Sequence, residues 1–390
     1  MRVLLAISDS FPYGAAYAAR TRALCKLIQS SGYRTDVLCD YPSKEDKISE
    51  YGNVYYVSKE PYVGAQKLFK LPRDYQVKLD SILNDNNYDL IVSRSMFDRF
   101  DRVLKTVRKH GIPLILESCE WYDVKGFARG KYDIRYWQFL HCFRKTYNRV
   151  DGVIAISRLL EEHYLSVVPN TIRIPAIHEL EKLPYRISSR GDEEIRLIFA
   201  GNIFGGKEQF EELLIALSRA NLHSKKLCLN IYGPTEQILI SSLSEDGLKA
   251  YELIKNNIVI HGMVPQLEIA NACQENDFGI FFRPNRRSSD AGFPTKLGEY
   301  LGAGTPVITN CTGDLALVMK DGINGYLLEK LSIEALIKII EKITCLNTLE
   351  QEMMRKASRD SACDLLDYHA YTETFSAFAE VIIKQRCKNG

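Results

Sequence analysis

The chain has 390 residues, 46% hydrophobic and 26% charged, with a formal net charge of +2. That length calls for two domains, and that composition can fill two cores, which excludes a disordered chain. So small a net charge makes no case for nucleic acid as a partner. The charge is uneven all the same. Residues 1–185 hold 28 Lys and Arg against 22 Asp and Glu, and the remainder 23 against 27. The 10 cysteines are scattered, with no CxxC pair and no Cys/His cluster at zinc spacing. Buried, reduced thiols and no metal are expected.

The opening "MRVLLAIS" carries one Arg and a short apolar run, then reaches Asp9 and Pro12 without a small-residue cleavage site. It reads as a first strand rather than a signal peptide. No stretch approaches the ~20 apolar residues of a membrane span. A cytoplasmic protein is expected, with peripheral contact to the membrane left open. Further apolar, β-branched runs lie at 34–39, 53–57, 89–95, 113–118 and 152–157. They are continuous rather than alternating, as parallel strands covered on both faces are. Helix-length segments such as "AARTRALCKLIQSSG", with its Gly stop, lie between them. The pattern is doubly wound α/β.

After residue 185 the pattern restarts. "IRLIFAG" (195–201) is a new first strand, followed by the helical "QFEELLIALSRA" and by runs at 226–233, 258–262, 277–282, 306–309 and 325–328. Two Rossmann-like domains in series are expected, at 1–185 and 186–350, joined by a polar linker near 182–194. Residues 351–390 read as helices that pack back on the first domain. Ligands of open parallel sheets bind beyond the carboxyl ends of the strands. Two such domains facing each other form one cleft, so the loops after the strands carry the interest.

Three of those loops stand out. In "AISDSFPYGAAYAARTRAL" (6–24), Gly14 with two alanines lets backbone approach a ligand, although an ordinary βα turn explains it equally well. Neither first strand is followed by GxGxxG, so the dinucleotide fingerprint is missing. In "FAGNIFGGKEQF" (199–210), a Gly-rich turn is followed by Lys207 just before a helix, where a Lys and the helix N–H groups can meet one phosphate. A solvated Lys after a turn is the plain alternative. In "AGFPTKLGEYLGAGTPVITN" (291–310), a short helix begins at Pro294 or Thr295 and stops at Gly304 and Pro306. Lys296 in its first turn opposes the helix dipole at a cost of a few tenths of a kcal/mol, roughly. An anion bound at the same helix end would account for it. Glu299, three residues on, shares that face and suits hydroxyls such as a ribose pair. A weak surface ion pair of ~0.3 kcal/mol is the alternative.

Residues 291–329, "AGFPTKLGEYLGAGTPVITNCTGDLALVMKDGINGYLLE", resemble the donor-binding signature of GT-B glycosyltransferases, and in particular of glycosyltransferase family 4 and its bacterial polysaccharide-assembly members. "FAGNIFGGK", "LNIYGP", "IVIHGMVPQLEIANACQENDFGIFF" and the N-terminal Gly loop follow in the family's order, so the resemblance covers most of the chain. It implies that Lys207 and Lys296 bind the diphosphate of a nucleotide-sugar donor and stabilise it as it leaves. Glu299 would take the ribose, Gly262, Met263 and Val264 the base, and Gly14 would close over the phosphates. Gly292 and Phe293 belong to the same signature. It further implies transfer with retention, without a metal or cofactor, to a saccharide or lipid-linked acceptor. Two departures stand against the pattern. Asn202 replaces the Arg of the Gly loop, and Ala291 stands where the first of two glutamates, the one touching the donor sugar, is expected, with Asp290 beside it.

The first domain is expected to hold the acceptor. Residues 94–149 contain 13 Lys and Arg against 6 Asp and Glu, with both tryptophans. Such interleaving suits a membrane surface or a lipid-linked acceptor, or else a long amphipathic helix packed on the sheet. "ESCEWYD" follows a strand end, so Glu117, Glu120 or Asp123 is placed to orient a sugar, with Glu120 taken as the catalytic candidate. His110, His141 and His178 are isolated and read as structural. An inverting enzyme of the same fold, or a non-catalytic sugar-nucleotide or glycan-binding protein, are the rival readings.

Overall fold

The computed structural model describes residues 1–14, 16–191, 194–203, 208–220 and 226–389. The chain divides into two compact units. The first comprises Met1–Glu179, Ala291–Phe293 and Asp367–Gly390, and the second Leu180–Asp290 and Pro294–Leu366.

The first unit holds eight strands: β1 (Arg2–Ala6), β2 (Arg34–Cys39), β3 (Lys47–Ser49), β4 (Gly52–Tyr56), β5 (Leu90–Arg94), β6 (Leu114–Ser118), β7 (Gly152–Ala155) and β8 (Thr171–Arg173). Their order in the sheet is β3-β4-β2-β1-β5-β6-β7-β8. Neighbours are parallel except β3 and β4. β5, β6 and β7 are buried along their whole length, which is why their runs carry no polar alternation. β3 and β8 were not expected from the sequence. Each has three residues, none of them buried, so neither carries a hydrophobic signal. One face of the sheet packs on the helix Ala16–Ser30 and on the chain's last helix, Thr372–Asn389, whose Phe375, Phe378 and Ile382 are buried in that core. Each such side chain contributes about 1.5–3 kcal/mol.

The basic, aromatic stretch 117–149 is not one long helix. It forms 3₁₀ turns at Val124–Gly126 and Gly130–Tyr132, a helix at Ile134–His141, and a π turn at Cys142–Thr146. Gly130, with φ +55°, breaks the helical path. An aromatic cluster fixes the result, with Phe97 edge-on to Tyr122, Phe127 and Phe139 at 5.8–6.1 Å.

The second unit holds β9 (Glu194–Ala200), β10 (Lys226–Tyr232), β11 (Ile258–Gly262), β12 (Phe278–Ile280), β13 (Val307–Asn310) and β14 (Gly325–Leu328). All are parallel, in the order β11-β10-β9-β12-β13-β14. In both sheets the chain runs outward from the first strand, then returns to its other side. The switch points are β1/β5 and β9/β12, where parallel sheets open a crevice for ligands. Among the described residues no helix is long and apolar enough to cross a membrane.

Candidate functional site

In the second unit the helix Thr295–Gly302 is tied down at both ends. Gly304, at φ +73°, ends it, with the Gly304 and Thr305 amides donating to the Leu301 and Tyr300 carbonyls at 2.9 Å each. This is a Schellman closure, which needs the left-handed residue glycine tolerates. In the middle of the helix, Tyr300 is fully buried, and its hydroxyl accepts from the Ala200 amide at the end of β9 at 2.8 Å. The ring fits because β12 carries glycine beneath it. A Cβ on Gly279 would come 2.4 Å from the Tyr300 ring. The start of the helix is thereby held at the carboxyl end of β9, beside the switch point.

Lys296, in the first turn, extends over that switch point. A Cβ on Gly201 would lie 2.7 Å from its Nζ. Glycine at 201 therefore makes room for the ammonium. The Lys296 side chain is only 14% exposed. Its Nζ lies 4.6 Å from the Phe199 ring centre and 5.5 Å from that of Phe281, and it donates to Glu208 Oε1 at 2.7 Å. The opposing helix dipole is thus outweighed by one carboxylate and two aromatic faces.

Glu208 was not singled out in the sequence. It follows Lys207 in the quoted loop, but nothing in the local pattern says that it turns inward. Lys207 itself lies outside the described residues. Glu299 lies one turn along the helix from Lys296 and is half-buried. Asn202 directly follows Gly201 after β9 and is exposed. Gly262, at φ +66°, ends β11, and its carbonyl accepts from the Gly233 amide at 2.7 Å. Met263 beyond it is 86% exposed, and Val264 is half-buried. Asn202 and Gly262 to Val264 follow the carboxyl ends of β9 and β11 in one sheet, with Gly262 to Val264 two strands from Gly201. Asp290 Oδ1 accepts from the Gly313 amide at 2.9 Å, so that carboxylate closes a turn. Ala291 is fully buried, Gly292 is half-buried, and Phe293 is buried.

In the first unit, a cavity of about 700 Å³ opens at the β1/β5 switch point, lined among others by Asp9, Tyr17, Asp40, Arg94, Arg99 and Glu120. The three carboxylates named in "ESCEWYD" part company there. Glu117 is fully built into the fold, accepting from Arg20 Nε at 2.6 Å and from Arg94 Nη2 at 2.9 Å. Burial works against its charge, but Arg94 and Arg20 outweigh it and hold the carboxyl below the usual glutamate range. Asp123 caps the turn that follows it, accepting from the Lys125 amide at 2.8 Å. Only Glu120 lines the cavity, where its carboxylate accepts from the Tyr17 hydroxyl.

Asp9 also lines that cavity. It meets Arg94 Nη1 at 3.2 Å, yet burial pushes its carboxyl above the usual range. Arg99 is held between Asp40 at 2.7 Å and Asp98 at 2.8 Å. Burial pushes the Cys119 thiol up to about 12, which disfavours the thiolate form. Gly14 is exposed after β1, and a Cβ there would come 2.0 Å from Ser10 Oγ. His110 pairs with Asp80 at 2.7 Å, His141 meets Asp101 at 3.5 Å, and His178 is buried.

Two family models match the chain. One, described as glycosyltransferase family 4, matches residues 18–177, and the other, described as glycosyl transferases group 1, matches residues 194–345. A sequence comparison with curated proteins returns no match. Among solved structures, sucrose-phosphate synthase from Thermosynechococcus elongatus is similar at a TM-score of 0.74 and 16% identity, covering 99% of this chain and 100% of its own. HepE from Anabaena, in complex with UDP and glucose, is similar at 0.66 and 14%, covering 98% and 100%. WaaG, a glycosyltransferase involved in lipopolysaccharide biosynthesis, is similar at 0.64 and 13%, covering 96% and 98%. At these identities the likeness establishes the fold, and the family models carry the rest. Two parallel α/β units, each matched by its own glycosyltransferase model, make this chain a GT-B glycosyltransferase of the group 1, family 4 type.

Proposed function

We propose that the second unit binds a nucleotide-diphosphate sugar and that the enzyme transfers the sugar to a saccharide or lipid-linked acceptor held by the first unit. The observation that carries this is Lys296: a largely buried ammonium at a helix start, over Gly201, at the β9/β12 switch point. A cation and free helix N–H groups at one point suit a leaving diphosphate. Lys207 and Lys296 stabilise that charge, Glu299 takes the ribose, and Gly262 to Val264 face the base. HepE, with its bound UDP and glucose, supports the donor class, and WaaG supports a place in cell-surface polysaccharide synthesis. Transfer proceeds with retention and without metal, because lysines and helix dipole supply the charge a metal would. Glu120 orients the acceptor, and the exposed Trp137, Tyr132 and Ile134 on the basic segment give the first unit a contact with the membrane face.

A panel of nucleotide sugars should raise the melting temperature selectively, since a ligand bound only by the folded state stabilises it. Transfer from the best of them should survive EDTA and give a product of unchanged anomeric configuration by NMR. An inverted product would favour a second reading. Asp9, with its carboxyl raised by burial at the edge of the first unit's cavity, would then serve as the general base. A chain that binds nucleotide sugars but neither transfers nor hydrolyses them would refute the enzymatic assignment.

A further inference from the structure

The ion pair beneath the proposed donor site is lopsided. Glu208 gives Oε1 to Lys296 at 2.7 Å, while its Oε2 is buried and has no hydrogen-bond partner among the described residues. The side chain is 9% exposed, so water does not readily serve that oxygen. A buried carboxylate oxygen without a donor is costly, and folded proteins keep such groups where something else satisfies them. What satisfies it must be a hydrogen-bond donor, because an ionised carboxylate only accepts. It must also lie next to whatever Lys296 binds, because one carboxylate group spans both.

We propose that Glu208 Oε2 accepts a hydroxyl of the donor sugar. This rests on the reading of Lys296 as the diphosphate ligand. An ammonium has three donors, so Lys296 can keep Glu208 and still meet phosphate oxygens. The sugar is esterified to that diphosphate, which brings its ring hydroxyls to the same spot. A bare carboxylate beside a diphosphate would be repelled. One already neutralised by the intervening ammonium is tolerated there. The ligand class is therefore a neutral, hydroxyl-bearing sugar on a nucleoside diphosphate. The chain lacks the glutamate expected at position 291, where it has Ala291. Glu208 supplies a carboxylate from a different loop.

The test compares affinity for a nucleotide with affinity for its sugar conjugate. UDP and UDP-glucose, and GDP and GDP-mannose, are titrated calorimetrically into wild type, Glu208→Gln and Glu208→Asp, with melting temperatures recorded. The ratio of the two affinities does not depend on how much variant is folded. For the pair that wild type binds, Glu208→Gln should lose about tenfold or more of the sugar's share of affinity. The affinity for the bare nucleotide should change less than threefold, and Glu208→Asp, charged but shorter, should fall between. Equal tightening of both ligands would show that Glu208 is only a counter-ion that competes with phosphate, and would overturn the proposal. Equal weakening of both would show that it only positions Lys296, and would overturn the proposal as well. Failure of wild type to bind any of the four would instead overturn the donor site on which the proposal stands.

Discussion

Both sheets place charge at their switch points, but they treat it differently. At β1/β5 each arginine is fully engaged by carboxylates: Arg94 by Glu117 and Asp9, Arg99 by Asp40 and Asp98. At β9/β12, among the described residues, Lys296 meets Glu208, and that carboxylate has an oxygen to spare. The first set holds strands together around a cavity. The second has bonding capacity left for a ligand. Charge density alone would have ranked them the other way, since the first unit is the more basic half. Unsatisfied bonding capacity, rather than the number of charges, is what sets the proposed donor site apart.

The contrast can be broken at four points. The largest effect on stability is expected from Glu117→Gln, which leaves Arg20 and Arg94 buried without their shared counter-charge. A loss of about 3–5 kcal/mol is expected, read as a lower urea midpoint at constant slope. A variant within 1 kcal/mol of wild type, roughly, would mean that this cluster is not structural. The pH dependence has a definite sign. Glu117 is held below its ordinary pKa, so its contribution is present above the unfolded value of about 4.3 and is lost as pH falls through the folded one. The variant should therefore be flatter in acid.

Next is Lys296→Ala, which should lower turnover about 10²–10³-fold while leaving the fold intact. Near-wild-type turnover in a folded variant would remove the phosphate assignment. Third is Gly279→Ala. Its methyl would meet the Tyr300 ring at 2.4 Å and push the Lys296 helix off the sheet. A cost of about 1–3 kcal/mol is expected, with weaker donor binding. Unchanged donor affinity would mean that the helix is not held by that contact.

The smallest effect concerns Asp9, whose folded pKa is raised by burial. Its contribution runs opposite to that of Glu117: full below the ordinary aspartate value of about 3.9, fading as pH rises through the folded one. Because Asp9 is partly exposed, Asp9→Asn should change stability little but should raise the acceptor KM and leave the donor KM alone. A shift in donor KM instead would assign Asp9 to the wrong substrate.

Much of this was legible beforehand. Every strand except the three-residue β3 and β8 lay on an apolar run such as "RTDVLC" or "GYLL", and the central ones, β5, β6, β7 and β13, are buried throughout, as strands covered on both faces are. The helix at Thr295–Gly302 was bracketed by Pro294 and Gly304, residues whose backbone preferences are local. Segment 117–149 was less legible. Its composition allowed a long helix, and only the packing of Phe97 among Tyr122, Phe127 and Phe139 shows why the chain folds up on itself instead. The three carboxylates of "ESCEWYD" were indistinguishable in one dimension. In the fold, one is locked between arginines, one caps a turn, and one lines the cavity.

By itself the sequence determined the class of fold, the two-part organisation, and the loop in which Lys296 stands, because periodicity, glycine and proline act over a few residues. Tertiary structure alone decided the partner of that lysine. Glu208 is 88 residues away along the chain and 2.7 Å away in space. Which charges meet, and which are left with an unsatisfied oxygen, depends on distances that only the folded sheet sets.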